Sequence, residues 1–221
     1  MVIGDQLDLE KGKALLDAWF ECGLQELDTA FLYPSDASKG LCEEMMGKMH
    51  VDLSRVSTKA NPWTAGGLKK ENVLAQLRGS LERLGGIKQV DIFYLHGPDH
   101  SVKIEETLEA VQQLFEEGCF RRFGLSNFAA WQVMEIHWWM KSKGWVVPTV
   151  AQYLYNVLSR DLERELIPCL SRLGISLYIF NATCGGFVGT PGFVKRKEKN
   201  EKEVENIIQK KNVISRRALQ H

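Results

Sequence analysis

Short apolar runs alternate with amphipathic stretches along most of this 221-residue chain. The apolar runs, which we predict to be strands, span residues 24–30, 55–60, 90–96, 120–127, 147–152 and 175–181. Helical periodicity fills the intervals, near residues 9–22, 37–49, 70–84, 103–118, 129–143 and 160–173. Strand starts lie about 26–35 residues apart, the size of one βα unit. Strict alternation of this kind predicts a parallel sheet covered by helices.

Polar side chains stand on the C-terminal side of all the predicted strands. They are Asp28, Lys59, His96, Asn127, Gln152 and Asn181. In a (β/α)8 barrel these strand ends converge on one pocket, where such enzymes place their sites. A doubly wound sheet is the alternative, but no G-x-G-x-x-G follows the first predicted strand. We therefore predict an α/β protein of the (β/α)8 barrel type, incomplete because too few strands are present.

Four of the side chains in this region form a coherent acid–base set. A buried Lys59 needs a countercharge, which Asp28 can supply. Tyr33 follows the first strand, and a nearby ammonium should lower its pKa below the usual value of about 10. Tyr33 could then protonate a carbonyl oxygen while a hydride reaches the carbon, and His96 would orient that oxygen.

The hydride must come from elsewhere, because no side chain can supply one. A nicotinamide cofactor is therefore implied, and the amides of Asn127 and Gln152 suit its carboxamide group. Taken singly, each residue also has an ordinary explanation: Lys59 as a surface lysine, His96 as a core histidine, Asn127 or Gln152 as a loop cap. The occurrence of such residues in register favours a functional site.

With these residues in place, the chain resembles the aldo-keto reductase family, most closely its aflatoxin-aldehyde reductase branch. The matching segments are ELDTAFLY (26–33), STKANPW (57–63), VDIFYLHGPDH (90–100), EETLEAVQQLFEEG (105–118), FGLSNFAAWQV (123–133) and PTVAQYLYN (148–156). The resemblance covers roughly residues 8–190 in unbroken order. It implies NADPH as the cofactor, aldehydes and ketones as substrates, and a catalytic tetrad of Asp28, Tyr33, Lys59 and His96.

The same resemblance implies a cofactor site. Its residues would be Asp28, Ser126, Asn127, Gln152, Phe180, Asn181, Gly185 and Gly186. Ser126, Asn127 and Gln152 would hold the nicotinamide, on whose ring Phe180 would stack. The stretch that begins at Asn181 would follow the pyrophosphate. We interpret Trp63 and Phe128 as an aromatic wall for the substrate beside His96, although such residues as often simply pack.

The chain departs from the family pattern near both ends. Only Met1-Val2-Ile3 could be a remnant of the family's first strand, and the N-terminal hairpin is missing. Beyond about residue 194 the resemblance ends, without an eighth strand or basic residues for the 2′-phosphate. We therefore divide the chain into a partial barrel, 1–194, and a charged tail, 195–221, which holds nine Lys or Arg and four Glu. An alternative function follows: a catalytically impaired relative that acts, if at all, by associating with an intact partner.

Composition argues against several other classes of protein. Lys and Arg equal Asp and Glu at 28 each, so no net charge attracts the chain to nucleic acid or a membrane. The sequence shows neither a signal peptide nor an apolar run of about 18 residues. Five widely spaced cysteines without a C-x-x-C indicate neither a disulfide framework nor a zinc site. We expect a cytosolic protein that binds a small carbonyl compound and no metal, and that forms a homodimer as is typical of the branch.

Overall fold

One parallel sheet organises the protein in a computed structural model, which describes residues 3–188. Its strands are β1 (Leu27–Asp28), β2 (Val56–Ala60), β3 (Val90–Leu95), β4 (Phe120–Ser126), β5 (Pro148–Leu154) and β6 (Ser176–Phe180). Every neighbouring pair is parallel, and the spatial order is the sequence order β1 to β6. In a doubly wound sheet the spatial order of the strands reverses at a switch point, whereas in a (β/α)8 barrel it follows the sequence order. The predicted incomplete barrel is confirmed.

Helices fill the intervals between the strands, as the periodicity predicts. They are α1 (Leu9–Glu21), α2 (Leu41–Lys48), α3 (Lys70–Arg83), α4 (Ile104–Glu116), α5 (Ala130–Ser142) and α6 (Leu166–Leu173). The end of α4 illustrates the local cause, because Gly118 adopts φ 74°, which glycine tolerates best. The Cys119 N–H then donates to the Leu114 carbonyl at 2.9 Å, which satisfies a terminal helix acceptor.

The sheet is buried on both of its faces. Its outer face packs under the helices in the main apolar core, which includes Phe93, Phe123 and Leu125. Its inner face holds a smaller cluster formed by Ile92, Tyr94 and Val150, with Tyr178 packed against it. Burial on both faces explains why the strand at 90–95 reads as an almost unbroken apolar run.

Charged residues pair near the amino ends of the strands. Arg122 pairs with Asp91 at 2.6 Å, and Arg55 pairs with Glu26 at 2.7 Å. The hydroxyl of Tyr178 in β6 donates to Glu26, which immediately precedes β1, at 3.0 Å. This bond joins opposite edges of the sheet, so the sheet must curl as barrel strands do.

The described residues fall into two compact units. Among residues 3–188, the first comprises 3–154 with Asp161–Phe180 and contains the whole described sheet. The second contains Tyr155–Arg160 and residues 181–188. In the second unit, Asn156 Oδ1 accepts hydrogen bonds from the backbone of Leu158 and Ser159, closing a tight turn. The predicted charged tail, 195–221, lies outside the described residues.

The predictions differ from the structure in local detail. The first strand is only two residues long, against seven predicted, although it contains Asp28. The helix predicted from residue 37 begins at Leu41, after a short 3-10 turn at Asp36–Ser38. Ile179 is 46% exposed in β6 because no further described strand or helix covers it. No helix among residues 3–188 combines the length and apolarity needed to cross a membrane.

Candidate active site

A buried lysine lies at the centre of the site. Lys59 is in β2, its side chain is 0% exposed, and its Nζ donates to Asp28 Oδ2 at 2.6 Å. A second bond runs from Nζ to the carbonyl of Thr29 at 2.9 Å. Burial lowers the pKa of Lys59, and the charge of Asp28 opposes that shift. The parallel pairing of β1 with β2 places this carboxylate and ammonium side by side.

The two remaining members of the predicted tetrad lie beside Lys59. Its Nζ is 5.1 Å from the centre of the Tyr33 ring. The Tyr33 and His96 rings meet edge to face, with centres 5.8 Å apart. Tyr33 comes from the loop after β1 and His96 follows β3, so three successive strands supply the group. The structure thus brings together all four side chains at the carboxyl ends of the strands.

The electrostatics of Tyr33 correct one expectation from the sequence. Burial and the negative charge of Asp28 raise the pKa of Tyr33, whereas we expected Lys59 to lower it. The reason is that the ammonium is already engaged by Asp28, so little net positive charge acts on the phenol. At neutral pH Tyr33 is therefore a protonated phenol.

His96 is neutral at physiological pH. Burial is the larger of two causes that lower its pKa to about 3, and the positive charge of Lys59 is the smaller. Its Nδ1 is buried and has no hydrogen-bond partner within the described part of the chain. A neutral imidazole carries one N–H donor, so His96 can hydrogen-bond a substrate oxygen without adding charge to the site.

Amide and hydroxyl groups line the neighbouring ends of β4 and β5. Ser126 Oγ donates to the Gln152 carbonyl at 2.8 Å, and Asn127 Nδ2 donates to the His96 carbonyl at 2.8 Å. Asn127 adopts φ 64°, a conformation that Asn tolerates better than most residues. Within residues 3–188, neither Asn127 Oδ1 nor the Gln152 side-chain amide has a hydrogen-bond partner. These free groups fit the donor and acceptor of a nicotinamide carboxamide.

The two aromatic residues predicted as a substrate wall have different environments. Trp63 is 60% exposed, and its ring centre lies 4.8 Å from that of His96, so it borders the site. Phe128 is 3% exposed and belongs to the main core, and its carbonyl accepts a hydrogen bond from Tyr153 at 2.8 Å. Its burial argues against the predicted substrate wall and assigns Phe128 to packing.

The remaining residues predicted to bind the cofactor divide between the two units. Phe180 ends β6 in the unit that contains the sheet, and it is 39% exposed. Asn181, Gly185 and Gly186 belong to the other unit and all have positive φ, between 57° and 90°. The Gly185 N–H donates to Asn181 Oδ1, and the Gly186 N–H donates to the Thr183 carbonyl at 2.9 Å. Since both amides are engaged locally, their contact with a pyrophosphate stays a prediction.

Sequence reasoning missed Tyr94, which lies on the inner face of β3. Lys59 Nζ is 5.5 Å from the centre of its ring, and its hydroxyl is buried without a partner among the described residues. Tyr94 also covers Gly124, where an added Cβ would overlap the ring. Period-two alternation was the available signal, because Tyr94 precedes His96 by two positions and therefore shares its face.

No group of three or more His, Cys, Asp or Glu side chains within residues 3–188 could hold a metal ion. The chemistry predicted from the sequence centres on the buried Lys59 and its neighbours, with a bound cofactor as the expected source of the hydride. The residues that fit a nicotinamide lie at the ends of β4 and β5, beside those of the tetrad.

Comparison with known proteins shows relatives over nearly the whole chain. A family model described as the aldo/keto reductase family matches residues 1–219, which extends past residue 194. Aflatoxin B1 aldehyde reductase member 2 of Rattus norvegicus is 42% identical over 211 residues, covering 93% of this chain and 56% of the relative. Aflatoxin B1 aldehyde reductase member 4 of Homo sapiens is 42% identical over 209 residues, covering 92% of this chain and 61% of the relative.

A more distant relative is oxidoreductase sirO of Leptosphaeria maculans, 37% identical over 183 residues, covering 81% of this chain and 54% of the relative. The chain therefore spans little more than half the length of the curated relatives it matches. Fold, strand-end residues and sequence agree on one assignment. The chain belongs to the aldo/keto reductase family.

Proposed function

We propose that this protein reduces aldehydes and ketones to alcohols with NADPH, using Tyr33 as the general acid. One observation supports this more than any other: a fully buried Lys59 is paired with Asp28 and lies against the rings of Tyr33 and Tyr94. A buried ammonium costs several kcal/mol unless a counterion pairs with it, as Asp28 does here. Aflatoxin B1 aldehyde reductases among the relatives support an aldehyde substrate.

The proton comes from the Tyr33 hydroxyl. The raised pKa of Tyr33 keeps the phenol protonated at the start of the reaction. As the proton moves to the carbonyl oxygen, negative charge develops on the phenol, whose ring centre is 5.1 Å from the Lys59 Nζ. Asp28 balances most of the charge of Lys59, so the ammonium offsets only part of the cost of that developing charge. When bound, the nicotinamide supplies the hydride.

His96 orients the carbonyl group through a hydrogen bond. Because its pKa is lowered to about 3, His96 remains neutral and does not compete with Tyr33 as a proton donor at neutral pH. The exposed face of Trp63 beside His96 can pack against an aromatic or alkyl substituent of the substrate. These two residues thus favour carbonyl compounds with a flat apolar group.

The cofactor is held, in this proposal, by residues of β4, β5 and β6. Asn127 Oδ1 would accept from the carboxamide nitrogen, and the Gln152 amide would donate to the carboxamide oxygen. The exposed ring of Phe180 would stack on the nicotinamide. NADPH as the cofactor follows from the family resemblance, as does a homodimer. A cytosolic location is proposed because the free cysteines suit a reducing compartment.

The test compares the parent protein with Tyr33→Phe, which removes only the hydroxyl. Reduction of an aromatic aldehyde is followed by the loss of NADPH absorbance, and NADPH binding by quenching of tryptophan fluorescence. We expect Tyr33→Phe to bind NADPH as the parent does while kcat falls by about 10²- to 10⁴-fold, the usual contribution of general acid catalysis. Full activity in Tyr33→Phe would refute the proposed acid.

A second candidate function rests on the exposed last strand. Ile179 and Phe180 are 46% and 39% exposed, and the chain spans 56% of its rat relative. Such an edge is prone to pair with another chain. The protein would then be a catalytically impaired relative that acts through an intact partner. Titration with NADPH beside size-exclusion chromatography separates the two, because only the enzyme must bind NADPH alone.

A further inference from the structure

We propose that Glu43 and Arg83 form a clamp that positions the Tyr33 loop, which we define as residues 29–40. The importance of this clamp for catalysis rests on the proposed function, in which Tyr33 is the acid. The clamp itself can be measured without any turnover. Neither residue touches the site, so both are positioning residues.

Glu43 anchors the clamp from the first turn of α2. Its side chain is fully buried, with 0% exposure. Glu43 Oε2 accepts from Arg83 Nε at 2.8 Å, and Oε1 accepts from Thr58 Oγ1 at 2.5 Å. One carboxylate therefore ties α2 to α3 and to β2, where Thr58 precedes Lys59. A buried carboxylate that lost Arg83 would be strongly destabilising, so the two side chains act as a unit.

Arg83 carries the restraint from Glu43 to the Tyr33 loop. Its guanidinium carbon lies 4.7 Å from the centre of the Phe31 ring, in cation–π contact. Its stem packs against Gly40, where a Cβ would come within 2.8 Å of Arg83 Cδ. Phe31 and Gly40 are joined by a 2.7 Å hydrogen bond from the Gly40 N–H to the Phe31 carbonyl. Arg83 thus contacts both residues that this hydrogen bond joins.

Tyr33 lies between Phe31 and Gly40, the two loop residues that Arg83 contacts. Its carbonyl accepts from the N–H of Cys42, the residue next to Glu43, at 3.3 Å. Residues 35–37 of the loop are exposed, so the loop has few buried anchors of its own. An error of about 1 Å in the placement of a reacting group can cost on the order of 10²-fold in rate. The clamp therefore supplies rigidity where the loop lacks it.

The same helix offers a matched control. Arg78 in α3 pairs with Glu117 at 2.9 Å, and both side chains are well exposed. Exposed pairs of this kind contribute little to stability. Arg78→Met and Arg83→Met are thus the same chemical change on one helix, but only the second touches the Tyr33 loop.

The experiment measures amide hydrogen exchange in peptides covering residues 31–42, with peptides from β3 as the internal reference. We expect Arg83→Met to speed exchange at Gly40 and Cys42 about tenfold, because a cation–π contact and its ion pair are lost. Arg78→Met should leave those amides unchanged. Arg83→Lys, which keeps the charge, should restore part of the protection. In the enzyme assay, kcat should fall in Arg83→Met while NADPH affinity stays within about twofold of the parent.

A double variant covers the case in which Arg83→Met does not fold. If Arg83→Met does not fold, Glu43→Gln/Arg83→Met removes the unpaired buried charge, keeps an acceptor for Thr58, and is expected to show the same fast exchange. Exchange in 31–42 equal to that of the parent, or raised equally in β3, would overturn the clamp. A parent protein without reductase activity would refute the proposed function instead, since the exchange measurement needs no turnover.

Discussion

The ammonium of Lys59 donates a 2.6 Å hydrogen bond to Asp28, although the lysine side chain is 0% exposed and the aspartate side chain is 42% exposed. This asymmetry means that the carboxylate retains part of its hydration while the lysine has lost all of its own. The burial of Lys59 is therefore the costly half of the pair, and Asp28 is the group that makes it tolerable.

Replacing Asp28 by Asn should destabilise the fold by about 1–3 kcal/mol, discounted because the carboxylate is partly exposed. The pKa of Lys59, already lowered by burial, should fall further without its countercharge. In Asp28→Asn the folded Lys59 then loses its proton at a lower pH than the unfolded Lys59 does. The free energy of unfolding of Asp28→Asn should therefore rise more steeply with pH than that of the parent. Urea unfolding at several pH values measures this. Asp17→Asn, at the exposed Lys13 pair, is the control.

His96 should make the fold sensitive to acid. Its folded pKa is lowered to about 3 from an ordinary 6.5, so the unfolded chain takes up the proton first as the pH falls. The stability contributed by the neutral imidazole is fully present above pH 6.5 and is lost between 6.5 and about 3. Over that window the parent should lose more stability per pH unit than His96→Gln, by on the order of 1 kcal/mol. Parallel unfolding curves for the two proteins would contradict the assignment.

The rate of carbonyl reduction should change little with pH around neutrality. Burial raises the pKa of Tyr33 and lowers that of His96 to about 3, so neither group changes protonation state near pH 7. We expect kcat for an aromatic aldehyde to be constant within about twofold between pH 6 and 8. An inflection near pH 6.5 would show instead that a histidine with an ordinary pKa takes part.

The sequence was sufficient to predict most of the fold because its strands are buried on both faces. The strand predicted at 120–127 is found at Phe120–Ser126, and the helix predicted at 129–143 is found at Ala130–Ser142. The first strand was harder to delimit. Residues such as Leu24 and Ala30 extend its apolar pattern, but only Leu27–Asp28 pair with β2. Pairing depends on the neighbouring strand, which a local pattern does not contain.

The proximity of the candidate site residues was predictable from the sequence, whereas their electrostatics were less so. Strand-end position identified Lys59 and His96, because topology alone brings such ends together. The direction of the Tyr33 pKa depends on how completely Asp28 engages Lys59, which is a matter of distances. The burial of Phe128 was not predictable for a similar reason, since a residue just after a strand can turn towards the core as readily as towards the pocket.

The packing of Tyr94 over Gly124 gives a final prediction about the floor of the site. A methyl group at Gly124 would overlap the Tyr94 ring, which lies 5.5 Å from Lys59 Nζ, so Gly124→Ala must push the ring or the strand aside. We expect a loss of about 1–3 kcal/mol in the free energy of unfolding, as overpacked cores show. Tyr94→Leu frees space for that methyl group, so the double variant should lose less than the sum of the single changes. Additive losses, measured by urea unfolding of the three variants, would mean that the two residues are not in the contact described.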